Sequence, residues 1–462
     1  MQVKHLRQAL LALAVVFVCI HFSARAQVSD QSRAWADTLS YPVWEIHDQF
    51  TFITQYHPAF HAAYSGKNSL SAAADQASSL TATLFIGRRL WRNAMVYCSP
   101  EISGGKGFDD VHGIAGFPNG DIYRVNDPSP KGYIARLYVK QYFVLGSSQK
   151  KAGKDVLQPE TYAPDPAQPA SARQIEAIVG KLSMTDLFDD NPASHDPRTQ
   201  FLNWSMMDDG AWDFPADTRG YDAILSLAYL APRFTFRIAE ALEPTQANGR
   251  KLNWHLHRSH AETIEIIYAG KCFQHHVFAG MHIYHNFTPA PIYATVINEK
   301  LTGVDTALDV IDPAATSHAK YGAGISLSEE INNRTQIFLR AGWNDGHTAT
   351  WAFTEIDRSL SAGGVYQIPF ARKQQMMQLG YALAVNGLSA PHRHFLEISG
   401  YGFVIGDGHL HYNTEDIAEL YLLFPIHRFI AITGDIQAIS HPAYNRDRGP
   451  VAVGSLRMHV SF

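Results

Sequence analysis

The sequence predicts an all-β fold: a transmembrane antiparallel β-barrel of about 16 strands, with long external loops and one loop folded inward. Three observations predict it. Segment after segment alternates apolar and polar residues at period two, the signature of strands with two unlike faces. After residue 26 no comparably strong 3.6-residue pattern appears, and no internal run approaches the ~18 apolar residues of a membrane-spanning helix. The alternation then persists through "GSLRMHVSF" to Phe462, where most domains fray into a polar tail.

The chain opens with Lys4 and Arg7, a short apolar run over residues 9–20, and "SARA" with an Ala24-x-Ala26 pattern. This reads as a secretory signal peptide, residues 1–26, with the mature chain starting at Gln27. Residues 27–44 then form a short N-terminal segment, and 45–462 the barrel. The whole chain carries a net charge of -5, and the leader holds three bases and no acid, so the mature chain is more acidic still. That disfavours nucleic acid as a partner. Cys98 and Cys272 remain. They form one disulfide or stand as packed thiols, and spacing does not choose between these.

The strands follow in order. "QFTFITQY" (49–56) sets Phe50, Phe52, Thr54 and Tyr56 against Gln49, Thr51, Ile53 and Gln55. "LTATLFI" aligns Leu80, Ala82, Leu84 and Ile86. "YIARLYVKQYFVL" places Tyr133, Ala135, Leu137, Val139, Phe143 and Leu145 on one face, with Arg136 and Lys140 on the other. "RFTFRIA" opposes Phe234, Phe236 and Ile238 to Arg233, Thr235 and Arg237. "RTQIFLRAGW" puts Arg340 opposite Ile337, Leu339 and Trp343, and "MQLGYALAVN" repeats the pattern. Strand charges lie mostly opposite the apolar face, as a water-filled lumen requires. Trp91, Tyr97, Tyr229, Trp351 and Tyr421 fall near strand ends, as interfacial girdles do. In hydrocarbon an open edge leaves backbone groups unpaired, so the last strand is expected to pair with the first.

Two loops stand out. Residues 146–173 are polar and Pro-rich, which suits an external loop or a loosely ordered turn. Residues 183–220 carry Phe188, Phe201, Trp204, Trp212 and Phe214 among eight aspartates. So aromatic a loop is expected to pack against or inside the barrel.

Seven blocks now carry a resemblance: "HPAFHAAYSGKNSL" (57–70), "GFPNGDIYRV" (116–125), "HDPRTQFLNW" (195–204), "RAGWNDGHTATWAFTEID" (340–357), "VNGLSAPHRHF" (385–395), "GYGFVIGDGHLHY" (400–412) and "HPAYNRDRGPV" (441–451). In this order they resemble the carbohydrate-selective porins of Gram-negative outer membranes, the OprB family. The resemblance implies a homotrimeric porin in the outer membrane that lets sugars diffuse through a water-filled barrel. Mono- or disaccharides are the expected solutes, with outer-membrane lipid and the barrel assembly machinery as partners. Phe462 resembles the terminal aromatic that such barrels present to that machinery.

A sugar offers adjacent hydroxyls and an apolar C–H face. Carboxylates, amides and cationic groups pair with the hydroxyls, and flat aromatics stack on the C–H face. Lining candidates are Arg136, Lys140, Arg237 and Arg340 from strands, and Asp196, Arg198, Asn203, Trp204, Trp212 and Asp213 from the aromatic loop. The arginines serve equally well as a ladder of ion pairs bracing the wall, and the tryptophans as loop anchors. Trp343, on the apolar parity, is expected to face lipid. His255/His257, His392/His394 and His409/His411 would share strand faces, but each lacks further converging ligands, so no metal site and no cofactor is expected. The alternative activity is an outer-membrane barrel enzyme acting on lipid or lipopolysaccharide. It needs a serine beside a histidine at the rim, and no G-x-S-x-G elbow appears. A plugged receptor lacks room before the first strand.

Overall fold

The computed structural model describes residues 43–121, 129–145, 173–304, 310–370 and 376–462. The expected leader and residues 27–42 lie outside the described residues. The chain forms sixteen strands: β1 (Trp44–His57), β2 (Asp75–Trp91), β3 (Ala94–Gly105), β4 (Lys131–Val144), β5 (Gln174–Leu182), β6 (Asp222–Leu230), β7 (Phe234–Leu242), β8 (His260–Cys272), β9 (His275–Thr288), β10 (His318–Asn332), β11 (Thr335–Asn344), β12 (Arg358–Pro369), β13 (Met376–Gly387), β14 (Glu415–His427), β15 (Ile430–Ser440) and β16 (Val451–Ser461). Each pairs antiparallel with its chain neighbours, and β16 pairs with β1 from Gln49–Ser461 to Tyr56–Gly454. The sheet therefore closes with no free edge, as hydrocarbon demands.

Turns of two or three residues join β2–β3, β6–β7, β8–β9, β10–β11 and β14–β15 at one rim, and long loops crowd the other. Short turns face the periplasm in barrels of this kind. The connection after β4 begins and ends at this short-turn rim. Its flanks, Leu145 and Arg173, meet at the short-turn rim, with the Leu145 amide 2.9 Å from the Arg173 carbonyl. The polar segment between them, 146–172, expected as an external loop or a loosely ordered turn, lies outside the described residues.

Period two sorts the faces as expected along β13, where Tyr381, Leu383 and Val385 are exposed on the lipid side and Ala382, Ala384 and Asn386 are buried in the lumen. β4 departs from strict alternation. Ser99 pairs with Arg136 but Pro100 pairs with Ile134, so Ala135 is an extra, bulged residue. The bulge flips the start of the strand, and Tyr133, expected outside, points inward to Glu101. Pro100 has no amide to give the ladder, and bulges are where sheets tolerate that.

The girdle is also partly corrected. Trp91 and Tyr229 are exposed at the short-turn rim, with Trp44, Phe143 and Phe234 beside them, while Tyr56, Tyr321 and Trp343 mark the long-loop rim. Tyr97, Tyr421 and Trp351 are instead only 1% exposed. Tyr97 stacks on Tyr138 at 5.1 Å, Tyr421 meets Phe201 edge-on at 4.9 Å, and Trp351 donates to the Pro244 carbonyl at 2.8 Å. Long loops fill that part of the lumen with apolar side chains, which gives these rings partners that lipid would otherwise supply.

Candidate functional site

The loop between β5 and β6, residues 183–221, enters the lumen and crosses to the opposite wall. The wall supplies partners for its backbone, because buried amide and carbonyl groups must be paired. Glu419 on β14 accepts from the Leu202 and Asn203 amides at 2.5 and 2.9 Å. Arg457 on β16 donates to the Pro197 and Gln200 carbonyls at 2.6 and 2.8 Å. Arg340 on β11 reaches Asp189 at 3.0 Å, the Met206 carbonyl at 3.0 Å and the Ser194 carbonyl at 2.7 Å.

Several candidates thus serve as straps. Arg340 is 2% exposed and holds the loop rather than facing free lumen. Asn203 caps the short helix α1 (Trp204–Met207) by accepting from the Ser205 amide, and its own amide nitrogen donates to the Gly116 carbonyl at 2.8 Å and to Gln437 at 3.0 Å. The Asp213 carboxylate collects the amides of Trp351, Ala352 and Phe353 at 2.9–3.0 Å, with Lys320 at 3.3 Å. Trp212 is fully buried between Phe188 and His282. Trp204 lies in a pile of rings, 4.8 Å from Phe117, 5.8 Å from Phe214 and 5.7 Å from Phe353. Only Phe353 of that pile is partly exposed.

The remaining candidates gather on the wall from β2 to β7. Arg136 grips Asp186 of the loop, Nε to Oδ2 at 2.7 Å and a terminal nitrogen to Oδ1 at 2.5 Å. Next to it Lys140 lies 3.8 Å from Glu176, whose other oxygen accepts from Arg237 at 2.8 Å. Arg198 on the loop bridges Asp121 at 2.7 Å and Glu101 at 3.5 Å. Glu101 also accepts from Thr83 at 2.6 Å, from Tyr221 at 3.2 Å and from Tyr133. Lys181 pairs with Asp217 at 3.9 Å, and Arg219 covers the Tyr133 ring at 4.2 Å. Sequence reasoning found Arg136, Lys140, Arg198 and Arg237 and missed Lys181, Arg219 and these acids. Glu101 and Glu176 stand on lumen parity in β3 and β5, which was the available signal; Asp186 and Asp121 are loop residues with none.

Asp196 stays local, accepting from Thr199 at 2.7 Å and from the Arg198 amide at 2.9 Å. Beside it, burial works against a charged His195. Asp208, 3.0 Å from its Nδ1, outweighs that cost with help from Asp190 and Asp189, and the imidazole is raised to about 10.

The histidine pairs do not share strand faces. Helix α3 (Ala390–Glu397, following α2 at Tyr293–Thr302 among the described residues) buries His392 against Asp357 at 3.1 Å and exposes His394. His255/His257 and His409/His411 lie in loops. Cys98 on β3 and Cys272 on β8 are free thiols on strands that are not neighbours.

A closed sixteen-strand barrel with a loop folded through its lumen and paired charges on the inner wall has the architecture of an outer-membrane porin. The comparisons make this specific. The chain belongs to the carbohydrate-selective porin family: the family model described as "Carbohydrate-selective porin, OprB family" matches residues 67–462. It is therefore a carbohydrate porin of the Gram-negative outer membrane and not an enzyme. In fold it is similar to OprB of Pseudomonas putida, at 15% identity and a TM-score of 0.66 over 91% of this chain and 94% of that one. The outer membrane channel DcaP of Acinetobacter baumannii matches at 9% identity and a TM-score of 0.47, over 92% of this chain and 100% of that one. No curated protein sequence matches the chain.

Proposed function

We propose that this porin passes neutral mono- and disaccharides by passive diffusion, and that the wall strip of Arg136, Lys140, Arg198 and Arg237 with their acids forms its selective surface. One observation carries the reading. Five bases (Arg136, Lys140, Lys181, Arg198 and Arg237) and five acids (Glu101, Asp121, Glu176, Asp186 and Asp217) are paired with one another in that strip. Paired charges keep their hydrogen-bonding edges while cancelling the field that would select ions, so they suit a polyol better than an anion or a cation. Weak, repeated contacts of that kind let a solute enter and leave. Elsewhere, Asp196 offers a carboxylate and the partly exposed Phe353 a flat apolar ring as further sugar contacts.

The working assembly in this reading is a homotrimer of mature chains starting at Gln27. Its outer wall meets lipid, and Phe462 is presented to the barrel assembly machinery. Liposome swelling tests the reading: glucose and sucrose are expected to enter faster than gluconate of similar size. Equal rates for all three, or no entry, would overturn it. Light scattering in detergent tests the trimer.

A further inference from the structure

We infer that the outer wall carries a divalent transition-metal site of the zinc type, built from His260, Glu262 and His285 at the long-loop rim. The three residues come from adjoining strands. Glu262 of β8 stands directly opposite His285 of β9, and His260 is two residues before Glu262 on the same outward parity. One ligand atom from each lies within 4.8 Å of the others. Glu262 divides its carboxylate between the rings, with Oε2 2.7 Å from His285 Nδ1 and Oε1 3.3 Å from His260 Nε2.

The contacts around the three residues also favour a cation. His260 Nδ1 sits 2.5 Å from the Leu256 carbonyl, which only accepts, so Nδ1 carries the hydrogen. Nε2, the other ring nitrogen, is thereby turned toward the Glu262 carboxylate, 3.3 Å from Oε1. On the other side Glu262 faces Glu240 of β7 directly across the ladder. Like charges opposite each other destabilise a sheet pair. The Glu262 carboxylate and both imidazoles thus gather from two strands, with Glu240 of a third opposite them, and a cation satisfies that set.

The arrangement also has the supporting contacts that metal-bound histidines use. A ligating histidine donates its other ring nitrogen to a carbonyl or carboxylate, which fixes the tautomer, as His260 does to Leu256. His285 is held flat against Tyr321, ring centres 4.9 Å apart. Two imidazoles and a carboxylate favour zinc-like ions over magnesium or calcium, which prefer all-oxygen sets. Bonds of about 2.0–2.1 Å in a tetrahedron would draw these atoms together, with water in the fourth position. A bound ion would clip β7, β8 and β9 together where the wall meets the long loops.

The test uses the full-length folded protein in detergent. Zinc chloride is titrated by calorimetry, and cobalt chloride is followed by its visible absorption, which reports tetrahedral nitrogen and oxygen ligation. One ion per chain is expected. His260→Ala and His285→Ala are expected to weaken it at least tenfold and abolish the cobalt spectrum. The double variant His255→Ala/His257→Ala, which removes an exposed pair nearby, is expected to bind as the parent does. Heat-modifiable gel mobility confirms that each variant is a folded barrel. Absence of zinc binding by the parent would overturn the site and leave an ion pair only. So would binding that survives His285→Ala, or that disappears with the His255/His257 pair.

Discussion

Arg136 on the wall and Asp186 on the inner loop are joined by two parallel hydrogen bonds of 2.7 and 2.5 Å, and Asp186 remains 24% exposed in its side chain. A fork-to-fork pair of this kind fixes orientation as well as distance. It anchors the loop where it enters the lumen, and it neutralises both charges beside the solute's path. Arg136→Ala is therefore expected to make the channel prefer cations, and Asp186→Asn to make it prefer anions. A unit charge about 5 Å from a passing ion in a water-like lumen is worth about 0.8 kcal/mol, about a fourfold change in local ion concentration. Reversal potentials across a salt gradient in planar bilayers measure this. Shifts of the same sign in both variants would refute the pairing as the source of neutrality.

Arg340 is a strap, and its removal has a different signature. It joins β11 to three points of the loop, at Asp189, Ser194 and Met206. Taking one partner from a buried charged pair costs about 3–5 kcal/mol, here spent on releasing the loop from the wall. Arg340→Ala is expected to raise single-channel conductance and admit trisaccharides in swelling assays. Arg340→Lys is expected to recover little, because an ammonium cannot span a carboxylate and two carbonyls set apart in a fork. Unchanged conductance in both variants would separate loop position from this arginine.

His195 links the loop to pH. A histidine held above its ordinary value stabilises the fold fully below about 6.5. That contribution is lost as pH rises through the folded value, here about 10. The pair with Asp208 should thus hold the loop's first half across neutral pH and loosen it in alkali. Brief closures in single-channel records are expected to be rare at pH 7 and to increase as pH passes about 10. His195→Gln, which cannot take the proton, should show them at pH 7 already. A variant as quiet as the parent at pH 7 would rule out this control.

What was legible in the sequence follows from locality. Period two depends only on each strand having a wet and a greasy side, so the lumen parity of Arg136, Arg237 and Arg340 and the lipid parity of Trp343 could be read directly. The bulge at Ala135 could not, since it is a relation between two strands, and its one local sign was Pro100. Tyr97 and Tyr421 read as girdle residues because nothing local says which loops fill the lumen beside them. The site was half legible for the same reason. Bases on lumen parity stood out, whereas a loop aspartate such as Asp186 acquires its role only when residues 50 positions apart meet.

The closing strand gives the last prediction. Phe462 exchanges both backbone hydrogen bonds with Asp48, at 2.9 and 3.3 Å, and its ring lies 4.7 Å from Phe429 in the neighbouring turn. It thus ends the seam where β16 meets β1, on the parity of Leu456 and Met458, whereas Ser461 has the parity of Arg457 and His459 and is exposed at the rim. Phe462→Asp removes an aromatic pair worth about 0.5–1.5 kcal/mol. It also sets a charge near the interface at about 0–1 kcal/mol. Ser461→Asp, away from both features, is expected to stay within about 0.5 kcal/mol of the parent. The yield of heat-modifiable barrel should fall several-fold for Phe462→Asp and little for Ser461→Asp. Refolding both purified variants into detergent without any assembly machinery divides the cause. A deficit that persists there belongs to the seam, and one seen only in cells belongs to recognition of the terminal aromatic before folding. Equal yields of the two variants in both settings would overturn the lumen and lipid assignment of this strand's end.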